Sequence, residues 1–220
     1  MNHRGGDFGD GATGLDGLLT EISACRICRD FPAGGPERRL PHEPRPVCFA
    51  SARAPVLIAG QAPGTRVHAS GRPFTDPSGV RLRDWLGVDD TAFYDPQKFA
   101  IVPMGFCFPG LDASGSDLPP RRECAPAWRG QVMQAMPQVR LILAIGQYAQ
   151  AWHLGPLRQK SMTDTVRNWR SILEATGPER PVLPLPHPSW RNSGWIRKHP
   201  WFEAELLPEL KSRVRDLLGG

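Results

Sequence analysis

Val56-Leu-Ile-Ala-Gly-Gln-Ala-Pro-Gly64, continued by Ser70-Gly-Arg-Pro-Phe-Thr-Asp-Pro-Ser-Gly79, is the stretch that decides how the rest of the chain is read. Four apolar residues running straight into glycine and proline predict a buried strand that ends in a tight loop. Val80 to Leu86 then has helical character. Strand, loop and helix in that order build a site at the carboxyl end of a parallel sheet.

The same alternation recurs downstream. Phe99-Ala-Ile-Val-Pro-Met104 reads as a strand leading into Gly105 and a glycine-serine loop, and Arg121 to Met136 as a helix with Trp128, Val132 and Met136 on one face. Val139-Arg-Leu-Ile-Leu-Ala-Ile-Gly146 is a further strand, turning into a helix that ends near Gly155. Pro181-Val-Leu-Pro-Leu185 is a fourth, ending in Pro186-His-Pro-Ser-Trp-Arg-Asn-Ser-Gly194. Leu206, Leu207, Leu210, Val214, Leu217 and Leu218 repeat with helical period, and Pro208 fits only a first turn, so a closing amphipathic helix is expected to start near Leu207. These elements predict a three-layer α/β/α sandwich around a mostly parallel four-stranded sheet.

Upstream of the first strand, residues 1–14 hold five glycines and little that can pack, and are read as a disordered tail before one domain spanning 15–220. Leucines at 15, 18 and 19 with Ile22 predict a short helix, Leu15 to Cys28, that delivers a pair of cysteines. Pro32 to Pro46 carries five prolines with Arg38, Arg39 and Arg45, the composition of an extended arm laid over the surface.

No apolar run approaches the roughly 18 residues that span a bilayer, and the amino terminus has no basic-then-apolar signal pattern. A soluble, cytoplasmic protein is therefore expected. The net charge of +5 suits an anionic partner such as nucleic acid without requiring one. Five cysteines, an odd number in a chain read as intracellular, argue against a disulfide framework. Cys25 and Cys28 form a C-x2-C pair, Cys107 and Cys124 a pair with sixteen residues between them, and Cys48 stands apart without an assignment.

Gly60-Gln-Ala-Pro-Gly64 with Gly71-Arg-Pro-Phe74, and His187-Pro-Ser189, resemble the two signature motifs of the uracil-DNA glycosylase superfamily. Their order, separation and strand-end placement agree over roughly residues 15 to 215. Cys25, Cys28, Cys107 and Cys124 resemble the four-cysteine pattern of its iron-sulfur branches, families four and five. The resemblance implies a structural [4Fe-4S] cluster on these thiolates. Zinc on four cysteines is the chemical alternative, because spacing alone does not separate the metals.

The activity implied is hydrolysis of the N-glycosidic bond of uracil, or of another deaminated base, in DNA, by a monomer that flips the nucleotide out and leaves an abasic site. That chemistry makes an oxocarbenium-like sugar and an anionic base, so the protein must extract the nucleotide, stabilise the anion and supply water. His187 is expected to donate to the base oxygen; its plainer reading is a loop-holding cap. Ser189 resembles the serine that grips a DNA phosphate, against a simple turn role. Phe74 is expected to stack on the base, against an ordinary core role. Gly60, Gln61, Ala62, Gly64 and Gly105 would line the base site.

Three departures from the superfamily pattern stand out. Ala62 occupies the place of the aspartate that serves the branch without a cluster, which leaves Asp76 first and His68 second as the expected water-positioning groups, Asp76 also being a good helix N-cap. Pro103 occupies the place of the base-reading asparagine, and Gly64 that of the residue that excludes a methyl group. Trp190 to Trp201 mixes Arg191, Asn192, Trp195, Arg197 and Lys198 with further aromatics. An insertion loop needs that mixture, with Arg191 or Trp195 as the expected wedge. No lysine lies in either motif to form a Schiff base, so lyase chemistry is not expected. The alternatives are a non-catalytic, cluster-bearing nucleic-acid binder and a small-nucleotide hydrolase, the latter leaving the basic aromatic loop without a purpose.

Overall fold

The computed structural model describes residues 11–219. Strands β1 (Val56–Ala59), β2 (Phe99–Ile101), β3 (Leu141–Ile145) and β4 (Val182–Leu185) form one sheet in the order β2-β1-β3-β4, parallel throughout. Both faces are covered, which is why the strands read as unbroken apolar runs rather than alternating ones. Val56, Ile58, Leu141, Leu143 and Ile145 point into one layer, with α4 (Pro77–Leu86) and α11 (Leu207–Leu218). Leu57, Ala59, Ile142 and Ala144 point into the other, with α1 (Gly11–Ser23), α6 (Gly130–Gln134) and α7 (Gly146–Leu154). The expected three-layer sandwich is the fold observed.

The prolines sit where a sheet tolerates them. Pro184 is in β4, an edge strand bonded only to β3, and the carbonyl of Pro181 accepts from the Ile142 N–H, which turns Pro184 to the unpaired side. The other edge, β2, is blunted by an antiparallel bridge in which Phe49 and Ile101 exchange backbone hydrogen bonds of 2.7 and 2.9 Å.

Several boundaries differ from the sequence reading. Helix α1 starts at Gly11 and stops at Ser23, so the expected tail is helical from residue 11 onward and residues 1–10 lie outside the described part. The Ser23 hydroxyl donates to the Thr20 carbonyl at the terminus, and Cys25 follows in a turn before α2 (Ile27–Asp30). Arg121–Glu123 is a turn, and the expected helix begins after it with a π-type turn at Ala125–Arg129 around Pro126, which has no N–H to donate to a regular ladder. A second π-type turn, Phe202–Leu206, precedes Pro208 and extends the closing helical run upstream of Leu207. Among the described residues no helix is long and apolar enough to cross a membrane.

One ionisable pair is sealed inside this frame. Arg129 is 1% exposed and has no carboxylate partner; its guanidinium donates to the carbonyls of Val102 and Pro103, each at 3.1 Å, and to His153 Nε2 at 2.6 and 3.2 Å. Guanidinium has no lone pair to offer, so His153 must be the acceptor and therefore neutral. Burial, helped by the neighbouring cation, pushes the His153 pKa down to about 3. The unfolded chain, with an ordinary histidine near 6.5, takes up the proton first. This contribution to stability is complete above about pH 6.5 and is lost progressively as pH falls toward 3. Thermal melts from pH 7 to pH 4 should show the wild type losing stability more steeply than His153→Gln, which keeps an acceptor and does not titrate.

Candidate active site

In a parallel sheet every strand ends at the same edge, and ligands bind outside the carboxyl ends where the strand order reverses. Here β1 is followed by β2 on one side and β3 lies on the other, and the loops leaving β1, β2 and β4 border a cleft of about 600 Å³. Gly60 to Val67 form its floor beyond β1, Ile101 and Pro103 a side wall, and His187 with Ser189 the opposite wall.

Phe74 reaches this cleft through a strained backbone. Its φ is +56°, the one positive φ at a non-glycine among the described residues. Three groups crowd its carbonyl: the Tyr94 hydroxyl, which donates to the Pro73 carbonyl at 2.7 Å and lies 3.3 Å from that of Phe74, Arg83, which donates at 3.4 Å, and Gly79, where a Cβ would sit 1.8 Å from the Phe74 oxygen. The ring stands at right angles to that of Phe93, with centroids 6.0 Å apart, and its tip reaches the cleft floor at Gly60, where a Cβ would lie 3.9 Å from Phe74 Cζ. Strain of this kind persists only where the surroundings over-determine it.

His187 is fixed in one tautomer. The Ser189 N–H donates to its Nδ1 at 3.2 Å, so Nδ1 is unprotonated and the proton is on Nε2. Burial lowers its pKa, outweighing the pull of Asp76 and Asp117, so the ring is a neutral donor. The loop around it is braced from two helices. Asn192 Nδ2 donates to the His187 carbonyl at 2.7 Å, and Arg81 of α4 donates to the Ser189 carbonyl at 2.9 Å and to Ser193 Oγ at 3.0 Å. Ser189 Oγ accepts the Arg191 N–H at 3.1 Å, which satisfies the turn and leaves its O–H free to donate outward.

Asp76 lines the cleft at the N-cap position of α4, with Pro77 as the first helical residue. Its side chain does not cap. Both carboxylate oxygens instead lie within reach of the buried Ser78 hydroxyl, at 2.7 and 2.8 Å. A second carboxylate, Asp117, lines the cleft from the 110–118 hairpin. Gln61 belongs to the floor, its Nε2 donating to the Leu118 carbonyl at 3.2 Å. Gly105 stays behind the floor, its N–H donating to the Gln61 carbonyl at 2.9 Å, with a Cβ there only 3.0 Å from Pro120.

Two expected site residues lie elsewhere. His68, on α3 (Thr65–Ser70), turns away to pack against His42 and Phe108, with ring centroids 4.4 and 5.6 Å apart, and does not border the cleft. Trp195, on α10 (Ser193–Lys198), is not a free wedge: its indole donates to Thr163 Oγ1 at 2.8 Å and stacks on His199 at 4.5 Å. Arg197 and Lys198 are exposed on the same helix, outside the cleft lining. The aromatic that does stand free is Trp190, 71% exposed at the cleft rim beside Arg191. Arg66, Trp190 and Asp117 escaped the sequence reading. Trp190 was within reach as the residue directly after the His-Pro-Ser motif, whereas nothing local marks the other two.

Away from the cleft, Cys25, Cys28, Cys107 and Cys124 line one small cavity together with Pro44, Pro46, Arg121 and Trp128. The proline-rich arm covers it, and Leu40 packs with Cys28 and Cys107. Two of the sulfurs accept hydrogen bonds, Cys25 from the Trp128 indole and Cys124 from the Phe106 N–H, each at 3.3 Å. Burial pushes the thiols up, Cys28 to about 11 and Cys107 to about 12. Among the described residues no three His, Cys, Asp or Glu side chains are grouped as for a single ion. Cys48 lies apart, in the layer with α1, near Arg129.

The strand ends of the parallel sheet thus frame a cleft lined by an aromatic, a neutral histidine and two carboxylates. The family follows from comparison: the family model for the uracil DNA glycosylase superfamily matches residues 48–211, and the chain belongs to that superfamily. Its activity class is that of a DNA glycosylase, with DNA as the partner.

The strain at Phe74 gives a test of how the site is held. Gly79→Ala should destabilise the protein by about 1–3 kcal/mol, read from urea midpoints. Gly130→Ala, where a Cβ meets nothing within 4 Å in a helix, should be neutral or slightly stabilising.

Proposed function

We propose that the protein is a monofunctional, monomeric DNA glycosylase that hydrolyses the N-glycosidic bond of uracil, and of other deaminated bases, leaving an abasic site. The observation that carries this reading is the convergence of Phe74, His187 and the Gly60–Gly64 loop on one cleft. The Phe74 face takes the flipped base, and Nε2–H of His187 donates to a base oxygen as negative charge gathers there. A neutral donor suits this task, because it strengthens its hydrogen bond with the charge that develops and does not attract the abundant phosphates equally well. Asp76 places negative charge opposite the cationic sugar.

Outside the pocket, Arg66 and Arg191 lie at the rim to receive backbone phosphates, with the Ser189 hydroxyl as a further donor. Trp190 is the wedge that fills the vacated stack, in place of Trp195. With Pro103 where a reading side chain would stand and Gly64 at the floor, the pocket takes its base edge contacts from the backbone and excludes little by bulk. A range of deaminated bases is accepted on this reading, with uracil among them.

For the four cysteines we infer a [4Fe-4S] cluster held by Cys25, Cys28, Cys107 and Cys124. What supports this is the donor chemistry: the four cysteines line one cavity, and Arg121, which lines it too, has a buried Nε without a partner among the described residues, a donor suited to an anionic cluster. The cluster would brace the arm against the turn that follows β2, with no part in the hydrolysis.

Oligonucleotides carrying a single uracil, incubated with the protein and then treated with hot alkali, should be cut at that position, and His187→Ala should reduce cutting about 100-fold or more. Retained binding with no cutting at uracil, hypoxanthine or xanthine would establish the non-catalytic binder instead. Protein purified without air should be brown, absorb near 400 nm and carry about four irons per chain; a colourless preparation rules the cluster out.

A further inference from the structure

We propose that Asp117, a residue outside both signature motifs, is the catalytic base that takes the proton from the hydrolytic water. The inference rests on the glycosylase reading of the cleft. It starts from the gap left by Ala62, which offers no carboxylate on the floor. Two carboxylates line the cleft, and they are engaged differently. Both Asp76 oxygens face the Ser78 hydroxyl. The carboxylate of Asp117 has electrostatic neighbours in His187, Arg191 and Asp76, and no hydrogen bond to a described residue, so its lone pairs are available to a water.

The hairpin that carries Asp117 is built to hold it there. Leu111 and Asp117 form an antiparallel bridge, and the Leu118 N–H donates to the Gly110 carbonyl at 2.9 Å. Asp112 locks the turn by accepting from the N–H groups of Ser114 and Ser116 at 2.8 and 2.9 Å. The hairpin is tied to both walls: Gln61 donates to the Leu118 carbonyl, and Arg191 donates to Ser116 Oγ at 3.3 Å. Gly64 completes the placement. A Cβ at that position would come within 3.2 Å of Asp117 Oδ2, so a bare glycine lets the carboxylate lie directly against the floor. The glycine that relaxes base exclusion also admits the acid.

Asp117 stands open to solvent at the mouth, where a water is at hand before DNA covers it. Partial burial raises its pKa from the ordinary aspartate value, against the opposing pull of His187 and Arg191, which favours proton uptake. In the step proposed, the water oxygen forms its bond to C1′ as the C1′–N bond breaks. The bonding pair leaves with the base, whose charge His187 steadies, and the water proton passes to Asp117. Return of that proton to solvent or to the departing base restores the carboxylate.

Single-turnover cleavage of a uracil oligonucleotide tests this. Asp117→Asn should slow cleavage about 100- to 10,000-fold, with Asp117→Glu partly restoring it. Binding to an oligonucleotide carrying 2′-fluorinated deoxyuridine, which resists cleavage, should stay within about threefold of wild type. The cationic and acidic groups near Asp117 are His187, Arg191 and Asp76; Arg66 also borders the cleft. Of the rate's pH dependence, the limb that rises with pH should disappear in Asp117→Asn and persist in Asp76→Asn. A wild type that releases base, with Asp117→Asn within threefold of it, overturns the inference alone. A wild type that releases no deaminated base overturns the glycosylase reading and the inference with it.

Discussion

Four parallel strands that are buried on both faces leave the chain no choice about where its loops gather. Parallel neighbours require each connection to cross back over a face of the sheet, so all four strands finish at one edge and the segments after them meet there. The crossovers over these apolar faces are built on helices, which pair their own backbone amides where water is excluded. From this one constraint follow the proximity of Gly60 and His187, which are distant in sequence, and the cleft between them. The motifs are far apart on the chain because a whole sandwich has to be wound before the second one arrives opposite the first.

The cleft is preorganised by groups that never face it. Tyr94, Arg83 and Gly79 over-determine the Phe74 backbone; Arg81 and Asn192 clamp the His187 loop. At the end of β2 the buried Arg129 guanidinium holds the carbonyls of Val102 and Pro103. A cation there costs a great deal in desolvation and has no carboxylate to offset it. Four hydrogen-bonding contacts to three acceptors, His153 among them, are what keep it in place. The wall carrying Pro103 is thereby fixed in its backbone rather than by any side chain of its own, in keeping with a site that presents backbone groups where a reading asparagine is absent.

The sheet was legible because its code is local. Val56–Ala59 and Leu141–Ile145 are apolar on every residue, and glycine or proline ends each run, so composition and punctuation suffice. The first floor loop and the His-Pro-Ser segment were legible for the same reason. What local reading missed depends on contacts made at long range. The His68 ring was free, on sequence grounds, to face either side of α3, and the tertiary partners His42 and Phe108 decide the matter. Trp195 and Trp190 look alike in sequence, five residues apart. Only the packing of α10 against Thr163 and His199 buries one and leaves the other at the rim. The two π-type turns were hidden because Arg121 to Met136 read as one unbroken helix and Pro208 as a helix start, when the chain instead widens a turn beside each proline.

Two carboxylates and a neutral histidine share the cleft. Glycosidic cleavage separates a cationic sugar from an anionic base within a few ångströms, so one set of fixed charges cannot serve both. Asp76, Asp117 and His187 line one cleft and are electrostatic neighbours, yet burial holds the histidine neutral against the pull of the two carboxylates. A protonated His187 would instead pair with those carboxylates and cancel their charge. Its Nδ1 is already occupied by the Ser189 N–H, which disfavours that second proton. Arg66 and Arg191 border the same cleft and are exposed. The single backbone hydrogen bond at Nδ1 therefore does two things at once: it leaves Nε2–H as the ring's donor, and it disfavours a second proton that would tie the imidazole to the two carboxylates.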